Sequence, residues 1–429
     1  MRLVEKLRQS VVAMNLLRRM RRGRKAALRH LQAPERHPLP MPTFVQLRLT
    51  NLCNLRCRMC GQWGDTGIYR GPSSDVGTPA AGDAPRLHDV LGLERQLSLR
   101  EQVELLDEIA PFAPVVSLFG GEPLLYPDVV PLVRHIKQRG LRLTMITNGS
   151  LLSRYADELV EAGIDSIAVS FDGHPALHDG IRGQAGSYER AAQGVRDVAR
   201  ARARLGRVHP VLLGIFPITE LNLEAVDETM ASLNDLPLDG VNVGLRWFVP
   251  TEAGEAYAAV MRDEFGVDAP SWKGFEFSWP GGETADSPRL QRLVGQLDGL
   301  KWRRYLAAFL PRPWVTFTPG IASREVPAYL TQHGPTFGHD LCPVAWYFAQ
   351  VQPDGDVAFC GDFPDYVIGN VRTSSFREIW TGPRAQAFRA KLLREPLPIC
   401  SRCCGSFVYG RWSREGLAET PANPAAGGS

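Results

Sequence analysis

Three cysteines, Cys53, Cys57 and Cys60, are the residues whose spacing points most directly to chemistry. They follow an apolar run, residues 44–50, that predicts a β-strand. A [4Fe–4S] cube takes one ligand per iron, so three thiolates leave one iron open. An open iron can bind a small molecule, as the open position of a catalytic zinc does. A zinc site and incidental core cysteines are the alternatives. Zinc usually has a fourth Cys or His nearby, and none follows closely.

A second group of cysteines lies near the end of the chain, at positions 342, 360, 400, 403 and 404. Close cysteine groups in a large protein of the cytosol favour metal binding over disulfides. Four thiolates complete one fully ligated cluster, and Cys404 is an alternative to Cys403 in that set. A zinc knuckle with four cysteine ligands is the other interpretation that this spacing permits.

Composition sets broad limits on the class of protein. The chain has 429 residues, of which 44% are hydrophobic and 22% charged, with a formal net charge of +3. These values are ordinary for a globular enzyme, and no nucleic-acid partner is expected from the charge. No apolar run is long enough to span a membrane, and the N-terminus lacks the apolar core of a signal peptide. A cytoplasmic location is therefore expected.

Between these cysteine groups the pattern alternates strand and helix, which predicts an α/β fold with a parallel sheet. The strand-like runs are residues 44–50, 114–119, 141–146, 164–171, 210–217 and 240–247. The helical stretches are 98–110, 127–139, 151–162, 187–204 and 222–235. Six such units predict a partial (β/α)6 TIM-like barrel, whose sites lie at the C-terminal ends of the strands.

The domain boundaries follow from changes in this pattern. Residues 1–40 are basic and predict a helical extension packed on the domain, in preference to a membrane-surface or RNA-binding role. Residues 41–247 form the barrel core, with a long Gly- and Pro-rich loop at 61–97. Residues 248–340 have no clear period and are an insertion or bridge of unknown role. Residues 341–412 hold the second cysteine group, and 413–429 predict a disordered tail.

The first cysteine motif, placed after the first strand, resembles the defining motif of the radical S-adenosylmethionine (radical SAM) superfamily. Further fragments follow in the order of that family. The resemblance implies a SAM-binding [4Fe–4S] cluster and a reductive cleavage of SAM to a 5′-deoxyadenosyl radical. It also implies that Glu122 receives the SAM amino group, that Ser170 and Asp172 contact the ribose, and that Arg182 lies near the SAM carboxylate. The implied cofactor-binding residues are Gly120, Gly121, Glu122, Pro123, Asn148, Ser170, Asp172, Arg182 and Asn222.

The C-terminal cysteines resemble those of the SPASM and twitch domains, which follow many radical SAM cores and bind auxiliary clusters. A full SPASM domain has seven cysteines, and the C-terminal group of this chain has five. The resemblance therefore implies the twitch form, with one auxiliary [4Fe–4S] cluster held by Cys342, Cys360, Cys400 and Cys403, or by Cys404 in place of Cys403.

Three functions are compatible with these motifs. The first is oxidation or epimerisation of a small polar natural-product, sugar or aminocyclitol-like substrate, with a flavodoxin- or ferredoxin-type electron donor. The second is modification of a ribosomally made precursor peptide; about forty residues precede the first strand, too few for the leader-binding domain of such relatives. The third is a non-catalytic iron–sulfur protein, which would need neither the Gly-Gly-Glu-Pro segment nor an open iron.

Asp362, two residues after Cys360, is the candidate catalytic base. The Cys360-Gly361-Asp362-Phe363 segment resembles one in sulfatase-maturing relatives, where an acidic residue close to a cluster cysteine accepts a proton. The alternative is that Asp362 caps a turn before Phe363 and Pro364, because aspartate is common in turns.

Overall fold

The structure is a computed structural model that describes residues 22–64, 67–69, 95–279, 283–306, 313–403, 405 and 413. Ten strands form one sheet in the order β10-β9-β8-β1-β2-β3-β4-β5-β6-β7. The strands are β1 (Phe44–Arg48), β2 (Val115–Phe119), β3 (Arg142–Thr147), β4 (Ser166–Ser170), β5 (Val211–Ile218), β6 (Gly240–Leu245), β7 (Trp314–Thr318), β8 (Phe348–Val351), β9 (Asp356–Ala358) and β10 (Val367–Asn370). Strands β1 to β7 are parallel, β8 is parallel to β1, and β9 and β10 complete an antiparallel edge.

Helices connect the parallel strands, as βαβ crossovers require. The described helices are α1 (residues 22–32), α2 (Leu99–Ile109), α3 (Val129–Gln138), α4 (Leu152–Ala162), α5 (Pro175–Arg182), α6 (Ser187–Arg204), α7 (Val226–Asn234), α8 (Thr251–Phe265), α9 (Pro288–Leu306), α10 (Val326–Thr331), α11 (Phe376–Thr381) and α12 (Pro383–Arg394). A capping box of Ser98 and Glu101 begins α2. Helix α3 buries the apolar stripe that its sequence predicts: Val129, Val130, Leu132, Val133 and Ile136.

The two faces of the sheet differ in chemistry. One row across neighbouring strands is apolar and almost fully buried against the helices: Leu47, Leu118, Met145, Ile167 and Leu212. The adjacent row points to the opposite face because side chains alternate along a strand. It contains Gln46, Ser117, Thr144 and Ser166. This row of the inner face, which the crossover helices do not cover, is therefore polar.

The six predicted strands are confirmed, and the sheet continues beyond them at both edges. Residues 248–340, for which the sequence predicted only an insertion or bridge, contain α8, α9, α10 and the strand β7, which pairs with β6. At the other edge, β8 pairs with β1, so the C-terminal domain adds its strands directly to the sheet of the core.

The ends of the chain are described only in part. Residues 22–32 of the predicted basic extension are helical, and Ala27 is fully buried in the core. The basic residues before position 22 and nearly all of the predicted tail lie outside the described residues. Among the residues that are described, no helix has the length and apolarity needed to cross a membrane.

Candidate active site

The loop after β1 brings the first three cysteines to the C-terminal edge of the barrel. The Cys60 N–H donates to the carbonyl oxygen of Cys57 (3.0 Å), so the second half of the motif is a tight turn. The Trp63 indole donates to the carbonyl oxygen of Asn51 (3.0 Å) and closes the loop on itself. Cys57 is buried, whereas Cys53 and Cys60 are half-buried. The motif therefore presents two partly accessible thiols and one enclosed thiol.

The three thiols lie close enough to influence one another. Burial raises the pKa of Cys57 to about 12, Arg182 opposes that rise, and Asp172, Cys60 and Cys53 add to it. Burial likewise raises the pKa of Cys53 to about 11, and Cys60 contributes to the increase. Cysteine binds metals as the thiolate. Because burial raises the pKa of these thiols, the positive charge of bound iron would be needed to keep them deprotonated.

The Gly-Gly-Glu segment lies directly against the cysteine loop. The N–H groups of Gly121 and Glu122 donate to the carbonyl oxygens of Thr50 (2.8 Å) and Leu52 (2.7 Å). A Cβ atom on Gly121 would lie 2.0 Å from the Leu52 carbonyl oxygen, and Gly120 has a φ of +152°. Only glycine permits this approach, which fixes the segment after β2 to the loop that leads into Cys53.

Glu122 is completely buried between the ends of β2 and β3. Its Oε1 accepts from the Leu124 N–H (3.1 Å) and the Thr147 hydroxyl (2.7 Å), and its Oε2 accepts from the Asn148 N–H (2.8 Å). Burial raises the pKa of Glu122, and these hydrogen bonds oppose the rise. A carboxylate has about four acceptor positions, so one position on Oε2 is left for a ligand.

Asn148 connects the end of β3 to the cysteine loop. Its Nδ2 donates to Asn54 Oδ1 (2.9 Å) and lies 4.0 Å from the Sγ of Cys53. Its Oδ1 accepts from the backbone N–H (2.9 Å) and hydroxyl (2.6 Å) of Ser150. The amide is thereby oriented with its donor side toward the cluster-binding loop.

Asp172 and Arg182 form a buried, bidentate ion pair close to Cys57. Asn222 holds the segment after β4 in place, because its Nδ2 donates to the carbonyl oxygens of Asp172 and Pro217, each at 2.8 Å. Ser170, at the end of β4, is half-buried. The predicted site residues of β4 and β5 are thus brought together, but the Asp172 carboxylate is engaged with Arg182.

The second cysteine group also converges. Cys342 precedes β8, Cys360 follows β9, and Cys400 begins a 3₁₀ turn, Cys400–Arg402, that Cys403 ends. The pKa of Cys400 is raised well above its usual value, first by a hydrogen bond with Cys342 and then by burial, Cys403 and Cys360. All four predicted ligands therefore lie near one another. Cys404 lies outside the described residues.

The described residues contain no group of three or more His, Cys, Asp or Glu side chains arranged to hold a single metal ion. A cube takes its thiolates at separate corners, so its ligands lie further apart than the four ligands of one zinc ion.

Asp362 is half-buried, and its charge contributes to the raised pKa of Cys360. A second carboxylate, Asp365, was not predicted from the sequence and lies near the same thiol. It accepts hydrogen bonds from the Tyr257 hydroxyl (2.8 Å) and from the backbone N–H (3.2 Å) and hydroxyl of Ser271. Its partners come from the 248–340 segment, so only the tertiary structure reveals this network.

Two cysteine groups on a parallel barrel, one of them after the first strand and against a Gly-Gly-Glu segment, define an iron–sulfur enzyme of the radical SAM type. The chain matches the model of the radical SAM superfamily over residues 47–233, and that of the iron–sulfur cluster-binding SPASM domain over residues 342–404. It belongs to the radical SAM superfamily and has a C-terminal SPASM domain, as the motifs predicted. It binds SAM and [4Fe–4S] clusters, one of them auxiliary.

Individual relatives extend the similarity over most of the chain. It is 27% identical over 378 residues to a pre-heme d1 synthase of Dinoroseobacter shibae, covering 85% of this chain and 78% of the relative. It is also 27% identical over 365 residues to an AdoMet-dependent heme synthase of Methanosarcina barkeri, covering 84% and 87%. The structure of Streptococcus suis SuiB bound to the precursor peptide SuiA has a TM-score of 0.54, with 14% identity over 90% of this chain and 75% of that one. At that identity the likeness concerns the fold alone.

Proposed function

We propose that the protein oxidises a polar substrate in the barrel interior by removing a hydrogen atom and then an electron and a proton. The observation that carries this proposal is the position of β1 in the sheet. One neighbour of β1 is β2, which leads into the Gly-Gly-Glu segment, and the other is β8, which leads through β9 to Cys360. Strand β1, which leads into Cys53, therefore lies between the strand that leads to the Gly-Gly-Glu segment and the strand that leads toward Cys360.

When bound, SAM and the two clusters supply a 5′-deoxyadenosyl radical to take the hydrogen atom and an acceptor for the electron. The chain's own residues have separate tasks in this proposal. Cys53, Cys57 and Cys60 hold the catalytic cluster, and the free acceptor position on Glu122 Oε2 receives the SAM amino group. The Asp172–Arg182 ion pair has a positioning role, because it holds in place the loops that the cofactor contacts.

The proton acceptor is proposed to be Asp362. An alcohol or amine carbon that has lost a hydrogen atom becomes a carbonyl or imine when one electron leaves to the auxiliary cluster and one proton to a base. Asp362 is half-buried and lies two residues from Cys360, near enough for its charge to raise the pKa of that thiol. The epimerisation variant would instead return a hydrogen atom from a thiol, and Cys403 or Cys404 is the candidate donor.

The substrate class is proposed from the relatives and from the polar inner face. The pre-heme d1 synthase and the AdoMet-dependent heme synthase match 84–85% of this chain, whereas a GTP 3′,8-cyclase of Peptoclostridium acidaminophilum matches only 42%. A carboxylate-bearing tetrapyrrole precursor of heme is therefore the first substrate to test. A sugar or aminocyclitol-like molecule, which the polar row Gln46, Ser117, Thr144 and Ser166 also suits, is the second.

The test is an anaerobic reaction of the reconstituted protein with SAM and dithionite, with and without each candidate substrate. We expect 5′-deoxyadenosine in every reaction and an oxidised product, two hydrogens lighter, with the correct substrate. A product of unchanged mass with inverted configuration would indicate epimerisation instead. Absence of 5′-deoxyadenosine would refute the enzymatic proposal and leave the non-catalytic alternative.

The role of Asp362 is tested with the variant Asp362→Asn, which should still form 5′-deoxyadenosine but little oxidised product. Asp354→Asn, which changes an aspartate in the turn between β8 and β9, is the matched control and should form the oxidised product as the wild type does.

A further inference from the structure

Arg48, the last residue of β1, is a buried arginine without a matching anion. It is 4% exposed, and its Nη2 lies 3.5 Å from the Tyr69 hydroxyl, at the outer limit of a hydrogen bond. Its buried Nε has no hydrogen-bond partner. Within the described part of the chain, no carboxylate forms an ion pair with it. Since arginine keeps its charge in proteins, this cation is buried without compensation.

Each of the other four buried arginines of the described residues donates at least two hydrogen bonds to carboxylate or carbonyl oxygens, although Nη2 of Arg389 is also without a partner. Arg182 pairs with Asp172, and Arg202 pairs with Asp239. The remaining two donate to backbone carbonyl oxygens: Arg389 to those of Ala345 and Trp380, and Arg402 to those of Tyr329, Pro335, Gln332 and Ser401. Arg48 alone among these five has neither a carboxylate nor a carbonyl oxygen. Among the described residues, the Arg48 guanidinium therefore lacks the carboxylate or carbonyl acceptor that a buried arginine normally has.

Arg48 lies on the inner face of the barrel. Leu47 and Leu49 pack in the apolar core, so the alternation along the strand directs Gln46 and Arg48 to the opposite side. Arg48 is in register with Phe119, the residue before the Gly-Gly-Glu segment. The guanidinium therefore lies on the inner face, one row beyond the polar row that contains Gln46, at the strand end where barrel sites lie.

The same side of β1 also faces the auxiliary cysteine group. The Gln350 amide donates to Gln46 Oε1 (2.6 Å), which joins β8 to β1 across the inner face. A Cβ atom on Gly361 would lie 3.1 Å from Gln350 Nε2 and 3.6 Å from Gln46 Oε1. The residue between Cys360 and Asp362 thus contacts this glutamine pair. Arg48 lies two residues further along β1, on the same face as Gln46.

We propose that Arg48 binds a carboxylate of the substrate and holds the molecule between the SAM site and the auxiliary cluster. The planar guanidinium fork suits a carboxylate, which accepts two parallel hydrogen bonds. Such an anion would supply both the countercharge and the acceptor for Nε that the described residues do not provide. This inference rests on the proposed function, since it takes the inner face as the substrate site. It narrows the substrate to acids, among them tetrapyrroles that bear carboxylates.

The test uses small carboxylates as probes, because they need no knowledge of the substrate. Thermal unfolding of the cluster-loaded protein is followed in sodium acetate or succinate, with sodium chloride at equal ionic strength as the reference. We expect both carboxylates to raise the Tm of the wild type by a few degrees and to have no such effect on Arg48→Met. Arg48→Lys should bind succinate about 10- to 100-fold more weakly than the wild type does. Arg262→Met removes an exposed arginine of α8 and should respond as the wild type does.

Two results would overturn the inference. One is an equal response of the wild type and Arg48→Met to carboxylates, or no response of either. The other is a tenfold or greater loss of SAM affinity in Arg48→Met, measured by equilibrium dialysis, because it would assign Arg48 to the carboxylate of SAM. The proposed function fails separately, if the wild type forms no 5′-deoxyadenosine from SAM and dithionite.

Discussion

At the scale of single residues, Glu122 combines two roles that the sequence does not separate. The Gly-Gly-Glu-Pro segment resembles a cofactor-binding element, and that resemblance predicts a ligand for the SAM amino group. The structure adds that this carboxylate joins the ends of β2 and β3 through three hydrogen bonds inside the core. A substitution at this position therefore affects folding as well as cofactor binding.

Glu122→Gln should destabilise the protein by about 1–3 kcal/mol, the usual cost of an unsatisfied buried donor. A glutamine amide has only one acceptor oxygen and can adopt two orientations. In one orientation its NH₂ group would face the Asn148 N–H, and in the other it would face the Leu124 N–H. Urea unfolding measures the change in the free energy of unfolding. Glu161→Gln, on the exposed side of α4, is the matched control and should change it little. A stability equal to that of the wild type would mean that the carboxylate serves the cofactor alone.

His178 gives the fold a dependence on pH. Burial lowers its pKa to about 4, with Arg182 also lowering it and Asp172 and Asp179 opposing. Its Nδ1 accepts from the Asp172 N–H (3.1 Å), which requires the neutral ring. A group whose pKa falls on folding stabilises the native state above its unfolded pKa of about 6.5, and the contribution decreases as the pH falls toward 4.

Between pH 7.5 and 5.5, His178 alone should therefore remove about 1 kcal/mol from the free energy of unfolding. Urea unfolding at the two pH values tests this expectation. The decrease in the free energy of unfolding between the two pH values should be smaller in His178→Gln than in the wild type, by the contribution of His178. In His37→Gln, which changes an exposed histidine, the decrease should equal that of the wild type. The same pH dependence in both variants would exclude His178 as its source.

At the scale of elements, the contact between the glycine segment and the cysteine loop sets the geometry of the catalytic cluster. Gly121→Ala would place a methyl group 2.0 Å from the Leu52 carbonyl oxygen, so the loop must move and Cys53 with it. We expect this variant to lose the catalytic cluster and keep the auxiliary one. Its iron content should fall from about eight to about four per chain.

The matched control is Gly180→Ala in α5, where a Cβ atom meets no atom within 4 Å. That variant should keep its full iron content, because alanine is also the better helix former. Iron analysis and Mössbauer spectroscopy on anaerobically reconstituted protein measure the result. Full iron content together with undiminished SAM cleavage in Gly121→Ala would show that the loop accommodates the methyl group.

The sequence predicted the elements with strong periodicity and missed those that depend on their neighbours. Strands β1 to β6 are apolar runs between helical stretches, and each lies close to its predicted position. Strand β7 has five residues and β9 has three, too few for a period to stand out in an irregular segment. The convergence of Cys342 with Cys400 was predicted from resemblance. By contrast, an isolated arginine such as Arg48 carries no signal of burial, which depends on the strands beside it.

At the scale of the whole molecule, the catalytic core and the SPASM domain share one sheet and one hydrophobic core. Strand β8 pairs with β1 in four consecutive register positions, from Phe44 with Phe348 to Leu47 with Val351. Beyond the sheet, the indole of Trp380 donates to the carbonyl oxygen of Pro40 (2.9 Å), and Arg372 forms an ion pair with Glu101 (2.6 Å). The first strand of the barrel is therefore an interior strand only because the C-terminal domain is present.

A chain ending at residue 340 should consequently fail to fold into a soluble core. It would leave β1 as an unpaired edge strand, which promotes association with other chains, and would expose the apolar surface that Trp346 and Trp380 cover. Soluble yield and size-exclusion chromatography measure this outcome. The control is the full chain with Cys342, Cys360, Cys400 and Cys403 all changed to Ala, which removes the auxiliary cluster but retains β8. This control should remain soluble and bind one cluster. A soluble, cooperatively unfolding fragment of residues 1–340 would show instead that the barrel is stable without its C-terminal strands.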